Sequence, residues 1–133
     1  MSNVEAPEKA RAIVIGHANF SAGLISAVGQ ICGMGRRLAG LSIAGMTPQD
    51  IEGAIREQLA ETGAHVVFTD LPAGSATIAA RRIAKEDPSL VVVSGVNLAA
   101  LLDFVFSSAS SDSEAAESAA LRGRASLNVI ERT

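Results

Sequence analysis

AIVIGHANFSAG at residues 12–23 joins a strand pattern to a helix pattern. Its first four residues are apolar and rich in β-branched side chains, and Gly16 ends the run, which predicts a buried strand. Beyond it, apolar residues recur at helical spacing, with Asn19 or Ser21 as the candidate N-cap. A buried strand that runs directly into a helix is typical of the first half of a βαβ unit, so we expect a parallel sheet.

The same alternation continues along most of the chain. Three more apolar runs predict strands, and a segment with helical periodicity or helix-capping residues follows each of them. The predicted strands span residues 12–15, 38–44, 65–69 and 90–93. We therefore predict an α/β fold with a doubly wound, mostly parallel sheet of about four strands flanked by helices.

The C-terminal region differs in composition from the rest of the chain. Six of the twelve residues 107–118 are serine, which favours a polar connector that leads into a solvated helix through Leu121. Residues 126–130 have the composition of a short last strand.

Length and composition exclude several classes of protein. The 133 residues predict a single domain, 1–133, with residues 1–10 as a flexible N-terminal tail. A hydrophobic content of 48% and a charged content of 19% exclude a disordered chain. Aromatic residues make up only 3% and the net charge is −3, so we expect no nucleic-acid partner. Without an apolar leader or a bilayer-spanning stretch, the predicted location is cytoplasmic.

Metal and disulfide chemistry have few residues available. The chain has one cysteine, Cys32, and two histidines, His17 and His65. This excludes an internal disulfide framework and a multi-cysteine zinc site, and we predict neither a metal nor another cofactor. Cys32 falls on an apolar helix face and is predicted to be core, whereas His65 begins a strand and is predicted to be structural.

The candidate site follows from the fold, because doubly wound sheets place their sites at the carboxyl ends of the strands. His17 follows the first predicted strand, where an imidazole could act as a general base, a metal ligand or a nucleophile. The alternative is a loop histidine that only hydrogen-bonds backbone. Asp70 follows the third predicted strand and could reach His17, fix its tautomer and leave the other ring nitrogen free to attack. Asp70 could equally cap the turn that follows it.

Small residues after Asp70 open the third predicted helix. The backbone N–H groups near Ala73 and Gly74 could converge on an anion, and Ser75 could add a hydroxyl donor. A tight turn with a serine cap is the alternative. Asn97 follows the fourth predicted strand, and we expect it to cap the next helix, with a place in the site as the alternative.

Two pairs of arginines, at residues 36–37 and 81–82, are interpreted as solvated charges, although a phosphoprotein partner could use one of them.

Five short blocks, taken together, resemble the IIA component of the mannose-family sugar phosphotransferase system. They are IVIGH at 13–17, FSAGL at 20–24, FTDL at 68–71, GS at 74–75 and GVNL at 95–98. The resemblance extends from about residue 11 to residue 106, and it rests on the order and spacing of the blocks.

The resemblance implies a phosphotransferase with a phosphohistidine intermediate. His17 would accept a phosphoryl group from HPr through Nε2 and pass it to a IIB component, with the membrane components IIC and IID as indirect partners. Asp70 would orient the ring through Nδ1. Ser75 and the backbone amides of Gly74 and Ala73 would hold the phosphoryl oxygens. Such proteins also form homodimers that exchange a C-terminal strand, for which residues 126–130 are the candidate.

The chain departs from the family pattern beside the histidine and after the aspartate. Ala18 stands where glycine is usual, and Ala73 and Ala76 stand where a second glycine and a proline are usual. The loop after the second strand also lacks a Phe-x-Pro-Gly-like pattern. Added methyl groups restrict conformations that glycine permits, and Ala18 and Asn97 are the residues that we expect to line the site.

Two other functions therefore stay open. One is a regulatory binding module with the same fold and no turnover, and the other is a phosphocarrier that serves a dihydroxyacetone kinase. The transported sugar is not specified by this chain, because the membrane components of such systems select it.

Overall fold

The computed structural model describes residues 9–131, which form a parallel four-stranded sheet with helices on both faces. The strands are β1 (Ala12–Gly16), β2 (Leu38–Ser42), β3 (Val66–Thr69) and β4 (Val91–Ser94). The helices are α1 (Phe20–Cys32), α2 (Pro48–Thr62), α3 (Ser75–Glu86), α4 (Leu98–Phe106) and α5 (Asp112–Ala125). This architecture confirms the predicted α/β fold.

The order of the strands determines where a site can form. It is β2-β1-β3-β4, and every pair is parallel. The chain winds outward in one direction from β1 to β2 and in the other direction from β3 to β4, so the switch point lies between β1 and β3. Ile15 pairs with Thr69, and this register brings the residues that follow the two strands to the same edge.

Two apolar clusters hold the helices against the sheet. On one face α1, α4 and α5 pack around the sheet, and the rings of Phe68 and Phe104 meet edge to face at 5.1 Å between centroids. On the other face α2 and α3 cover a cluster that includes Ile15, Ile55 and Ile83. Both faces of β1 are therefore buried, which explains its unbroken apolar sequence.

The prediction for the serine-rich region was wrong in two respects. Helix α5 already begins at Asp112, where Ser111 caps it by accepting a hydrogen bond from the N–H of Glu114, at 3.1 Å. It is also not a solvated helix, because a face of small residues packs against α4. Those buried residues are Ala115, Ala116, Ala119 and Gly123. The many serines concealed this face, since alanine and glycine give only a weak apolar signal.

The last predicted strand is also absent from this chain. Residues 127–131 have no regular secondary structure, and Leu127, Val129 and Ile130 are each more than four-fifths exposed. A strand needs a hydrogen-bonding neighbour, and the tail does not reach one within its own chain.

The predicted flexible tail, residues 1–10, falls mainly on residues 1–8, which lie outside the described residues. Between residues 9 and 131, no helix is long and apolar enough to cross a membrane.

Candidate functional site

His17 and Asp70 meet at the switch point of the sheet. His17 follows β1 and Asp70 follows β3, and the His17 Nδ1 atom lies 2.7 Å from Asp70 Oδ2. The same oxygen accepts a hydrogen bond from the backbone N–H of His17, at 3.0 Å. The other oxygen, Oδ1, accepts from the N–H of Leu71, also at 3.0 Å. Asp70 therefore contacts the imidazole and also accepts from the first backbone N–H of the loop that follows it.

The Asp70 carboxyl is in its charged form near neutral pH. Burial raises its pKa, since the side chain is only 7% exposed, but the hydrogen bonds from the imidazole and the N–H of His17 outweigh burial and lower the pKa overall. A carboxylate can only accept, so in the neutral ring Nδ1 carries the proton and donates it to Asp70. The lone pair then lies on Nε2.

The far side of the His17 ring is open. The side chain is 58% exposed, and Nε2 makes no hydrogen bond to any residue between 9 and 131. An oriented imidazole with an accessible, unprotonated nitrogen is suited to nucleophilic attack or to accepting a proton.

The absence of a side chain at Gly16 lets the Asp70 carboxylate lie against His17, a role that was not predicted from the sequence. A Cβ atom at Gly16 would lie 2.6 Å from Cδ1 of Phe20 and 3.1 Å from Oδ2 of Asp70. No side chain fits there without displacing the carboxylate or the start of α1. The available signal was a glycine that ends a β-branched strand directly before the candidate histidine.

Ala18 takes a backbone conformation that favours glycine. Its φ is +47°, in the left-handed region, and it is the only residue other than glycine with a positive φ in the described part of the chain. The loop thus keeps the conformation that the usual glycine would favour, although a methyl group is present. The N–H of Phe20 closes this turn on the carbonyl of His17, at 3.0 Å.

The small-residue loop lies at the same edge and leads into α3. Gly74 is the N-cap, and its own N–H is occupied, since it donates to the carbonyl of Leu71 at 3.2 Å. The first helical bond runs from the N–H of Ile78 to the carbonyl of Gly74, so the N–H groups of residues 75–77 precede it. Ala73 and Ser75 are exposed. Their part in binding a phosphoryl group stays a prediction.

Asn97 has the capping role that was expected. Its Oδ1 accepts from the N–H of Ala100 at 3.0 Å, which caps α4. Its Nδ2 donates to the carbonyl of Gly123 at 2.9 Å and thereby ties the end of α5 to the start of α4. Both the oxygen and the nitrogen of the Asn97 amide therefore form hydrogen bonds with these helices.

The other singled-out residues lie away from the His17–Asp70 pair. Cys32 packs against the core, and its Sγ donates to the carbonyl of Val28. His65 lies before β3, with its Nδ1 3.4 Å from the hydroxyl of Ser89, at the opposite end of that strand from Asp70. Within residues 9–131, no three His, Cys, Asp or Glu side chains cluster in a way that could hold a metal ion.

The fold and the site define a class: a doubly wound α/β protein with an exposed histidine held by a buried aspartate at its switch point. The family model described as the fructose IIA component of the phosphotransferase system matches residues 11–121. The chain belongs to this family, which confirms the resemblance seen in the sequence. Membership implies phosphoryl-carrier activity and interaction with other components of the system.

Solved structures show the same fold over nearly the whole chain. The mannose/sorbose-specific IIA subunit from Enterococcus faecalis has a TM-score of 0.81 and 20% identity, covering 94% of this chain and 97% of that one. The EIIA component from Streptococcus agalactiae has a TM-score of 0.80 and 22% identity, covering 90% and 95%.

A third structure, the IIA protein associated with the fucose utilization operon of Streptococcus pneumoniae, has a TM-score of 0.77 and 22% identity, covering 94% and 96%. No curated protein sequence matches the chain significantly. At these identities the likeness to the solved structures shows the fold alone.

Proposed function

We propose that the protein is a cytoplasmic phosphocarrier that accepts a phosphoryl group from HPr on Nε2 of His17 and passes it to a IIB component during sugar uptake. The observation that carries this proposal is the bond between His17 Nδ1 and Asp70 Oδ2, 2.7 Å long, on a ring whose other nitrogen faces solvent. A group that must react with two protein partners in turn has to be accessible, and the exposed imidazole meets this requirement.

In the proposed step the Nε2 lone pair attacks phosphorus. A bond forms between Nε2 and phosphorus while the bond between phosphorus and the donor's leaving atom breaks, and that electron pair stays with the donor. The His17 ring becomes positively charged, and the carboxylate of Asp70 stabilises this charge. The proton stays on Nδ1 of His17 throughout the step. Transfer to the acceptor is the same displacement in reverse, with His17 as the leaving group.

The start of α3 supplies candidates for holding the phosphoryl oxygens. Within residues 9–131, the N–H groups of residues 75–77 have no backbone acceptor, and together with the positive end of the helix dipole they favour an anion. The exposed hydroxyl of Ser75 can add a donor, and Ala73 lies next to it in the loop. Phosphoryl transfer depends mainly on positioning and charge stabilisation, which a small preorganised site provides.

We also propose a homodimer in which residues 126–130 are exchanged. Strand β4 is at one edge of the sheet, and no described strand pairs with its outer side. A groove of about 460 Å³ lies between β4 and α5, and Leu127, where the exposed tail begins, is one of the residues that line it. A tail strand from a second copy could pair with this edge and cover its half-buried valines.

The deciding experiment is intact-mass spectrometry after incubation with phosphoenolpyruvate, enzyme I and HPr. We expect one acid-labile phosphoryl group on the wild type and on His65→Ala, and none on His17→Ala. His65→Ala is the matched control because it removes the other histidine, which lies at the opposite end of β3 from Asp70.

No added mass on the wild type, with a working control acceptor, would overturn the carrier role and favour the regulatory binding module. If the protein is phosphorylated, mixing it with a purified IIB component or with a dihydroxyacetone kinase distinguishes the two carriers, because only the true acceptor removes the phosphoryl group.

A further inference from the structure

A chain of buried hydroxyl groups lies beneath the Asp70 loop. Thr69 is the last residue of β3 and Thr77 is in the first turn of α3, and their Oγ1 atoms are 2.6 Å apart. The Thr77 hydroxyl also donates to the carbonyl of Leu71. One hydroxyl has one proton, so Thr69 must donate to Thr77.

This chain of hydrogen bonds links the two residues that flank Asp70 in the sequence. These residues are Thr69 and Leu71, and Thr77 contacts both. Thr77 is 3% exposed and Thr69 is fully buried, so the network is shielded from water. A buried hydroxyl costs free energy unless it is paired, and here both hydroxyls are paired.

A valine at position 77 would fill the same space as the threonine and would bring no hydroxyl group that needs a hydrogen-bond partner. The apolar cluster around it includes Ala76, Ala79 and Ala80 of the same helix, so packing alone does not call for a hydroxyl. What the hydroxyl adds is a directional link between α3 and the backbone that carries Asp70. A shift of that backbone would change the geometry of the bond to His17 Nδ1.

We propose that Thr77 is a positioning residue that holds Asp70 in place, so that the His17 ring keeps its proton on Nδ1 and its lone pair on Nε2. The effect on phosphoryl transfer rests on the proposed function, whereas the effect on the tautomer does not. Thr77 acts through the Leu71 carbonyl and the Asp70 backbone, without contact with the reacting atoms.

The test compares Thr77→Val with Thr77→Ser and Thr62→Val. Thr77→Ser keeps the hydroxyl. Thr62→Val removes a threonine hydroxyl that also makes two hydrogen bonds, to the carbonyl of Gln58 and from the N–H of Ala64, at the end of α2. The first readout is the ¹⁵N spectrum of the unphosphorylated His17 ring, which reports the tautomer without any donor protein. The second is the rate of phosphoryl uptake from HPr.

In Thr77→Val we expect the Nδ1–H form to lose its predominance and the uptake rate to fall about tenfold. Thr77→Ser and Thr62→Val should keep the wild-type tautomer and a rate within about twofold of wild type, even if Thr62→Val loses stability. A wild-type tautomer in Thr77→Val overturns the proposal. If the wild type takes no phosphoryl group, the function fails but the tautomer still decides the role of Thr77.

If Thr77→Val does not fold, Thr77→Cys takes its place, because a thiol is only a weak hydrogen-bond donor. The proposal expects a smaller fraction of the Nδ1–H form in Thr77→Cys than in Thr77→Ser. An equal fraction in the two variants overturns it.

Discussion

Asp70 holds His17 through a single oxygen atom, Oδ2, which accepts from both the ring and the backbone N–H of the histidine. The two bonds fix where the ring lies and which face it turns to solvent. The carboxylate charge has a further effect, because only an acceptor at this position keeps the proton on Nδ1. The contribution of the charge can therefore be tested by a substitution that keeps the shape of the side chain.

Asp70→Asn is that substitution, and we expect it to slow phosphoryl uptake by at least about 100-fold. An amide cannot replace both oxygens, because its oxygen can accept from the ring and the backbone N–H of His17 only if its NH2 group faces the N–H of Leu71. In either orientation it lacks the charge that stabilises the phosphorylated ring. The measurement is the time course of mass gain after mixing with phosphorylated HPr. Asp87→Asn is the control, since Asp87 is an exposed carboxylate that caps its own turn beside Ser89. Uptake by Asp70→Asn at the wild-type rate would contradict this role for the charge.

The two alanines that replace usual glycines differ in conformation and should respond oppositely. Ala18 has a φ of +47°, so Ala18→Gly relieves backbone strain and should raise the free energy of unfolding by about 0.5–1 kcal/mol. Ala73 has no positive φ, so Ala73→Gly only adds conformational freedom to the unfolded chain. This change should lower the free energy of unfolding by about 0.4–1 kcal/mol. Urea denaturation of both variants checks the signs. A lower free energy of unfolding in Ala18→Gly than in the wild type would show that the conformation of Ala18 is not strained.

The sequence was sufficient to predict the His17–Asp70 pair, because residues that follow neighbouring parallel strands share an edge. It was not sufficient for Gly16 or Thr77. The need for glycine at position 16 comes from Phe20 and Asp70 together, and one of these is 54 positions away. The Thr77 hydroxyl has its partners on β3 and in the following loop, which become neighbours only when α3 docks on the sheet.

At the scale of elements, helix α5 depends on a close approach to α4. Gly123 lies where α5 crosses the start of α4, and a Cβ atom there would be 3.0 Å from both Cβ of Ala100 and Oδ1 of Asn97. The same Asn97 caps α4 and binds the Gly123 carbonyl, so a shift of α5 would also disturb this cap. Small residues thus fix the distance between the two helices.

We expect Gly123→Ala to lower the free energy of unfolding by roughly 1 kcal/mol, because crowding outweighs the better helix propensity of alanine. Gly53→Ala is the matched control. Gly53 is in the middle of α2 with nothing within 4 Å of the added Cβ, so this change should raise the free energy of unfolding by about 0.5–1 kcal/mol. Thermal or urea unfolding measures both. If Gly123→Ala also raises the free energy of unfolding, then α4 and α5 can accommodate a Cβ atom at position 123, and the expected crowding is absent.

Elements with strong sequence signals were predicted well, and those that depend on neighbours were not. Helix α2 has Thr47, Pro48 and Asp50 at its start, and the structure shows the full capping box, with hydrogen bonds of 3.1 Å in both directions. Helix α5 has a capping serine, Ser111, but its buried face consists of small residues with little apolar signal, and residues 127–131 have no such local signal. The first depends on packing against α4, and the second lacks a neighbouring strand in its own chain.

At the scale of the whole molecule, the site and the free sheet edge are connected through α5. Strand β4 ends at the same edge as the site, its exit loop contains Asn97, and Asn97 holds the end of α5 from which the tail leaves. The tail therefore begins beside the groove along β4. A second copy bound there would lie near the carboxyl ends of the strands, where the proposed carrier meets its partners.

Val129→Asp should convert the proposed dimer into a monomer, because the tail would have to bury a charge against the valines of β4. Sedimentation velocity gives the mass of the wild type and of the variant directly. Asn128→Asp adds the same charge one residue earlier, and since successive residues of a strand face opposite sides, it should leave the dimer intact. A monomeric wild type, or a Val129→Asp dimer as tight as the wild type, would contradict strand exchange. Because each sheet packs its own core, the Val129→Asp monomer should keep the His17–Asp70 pair and still accept a phosphoryl group.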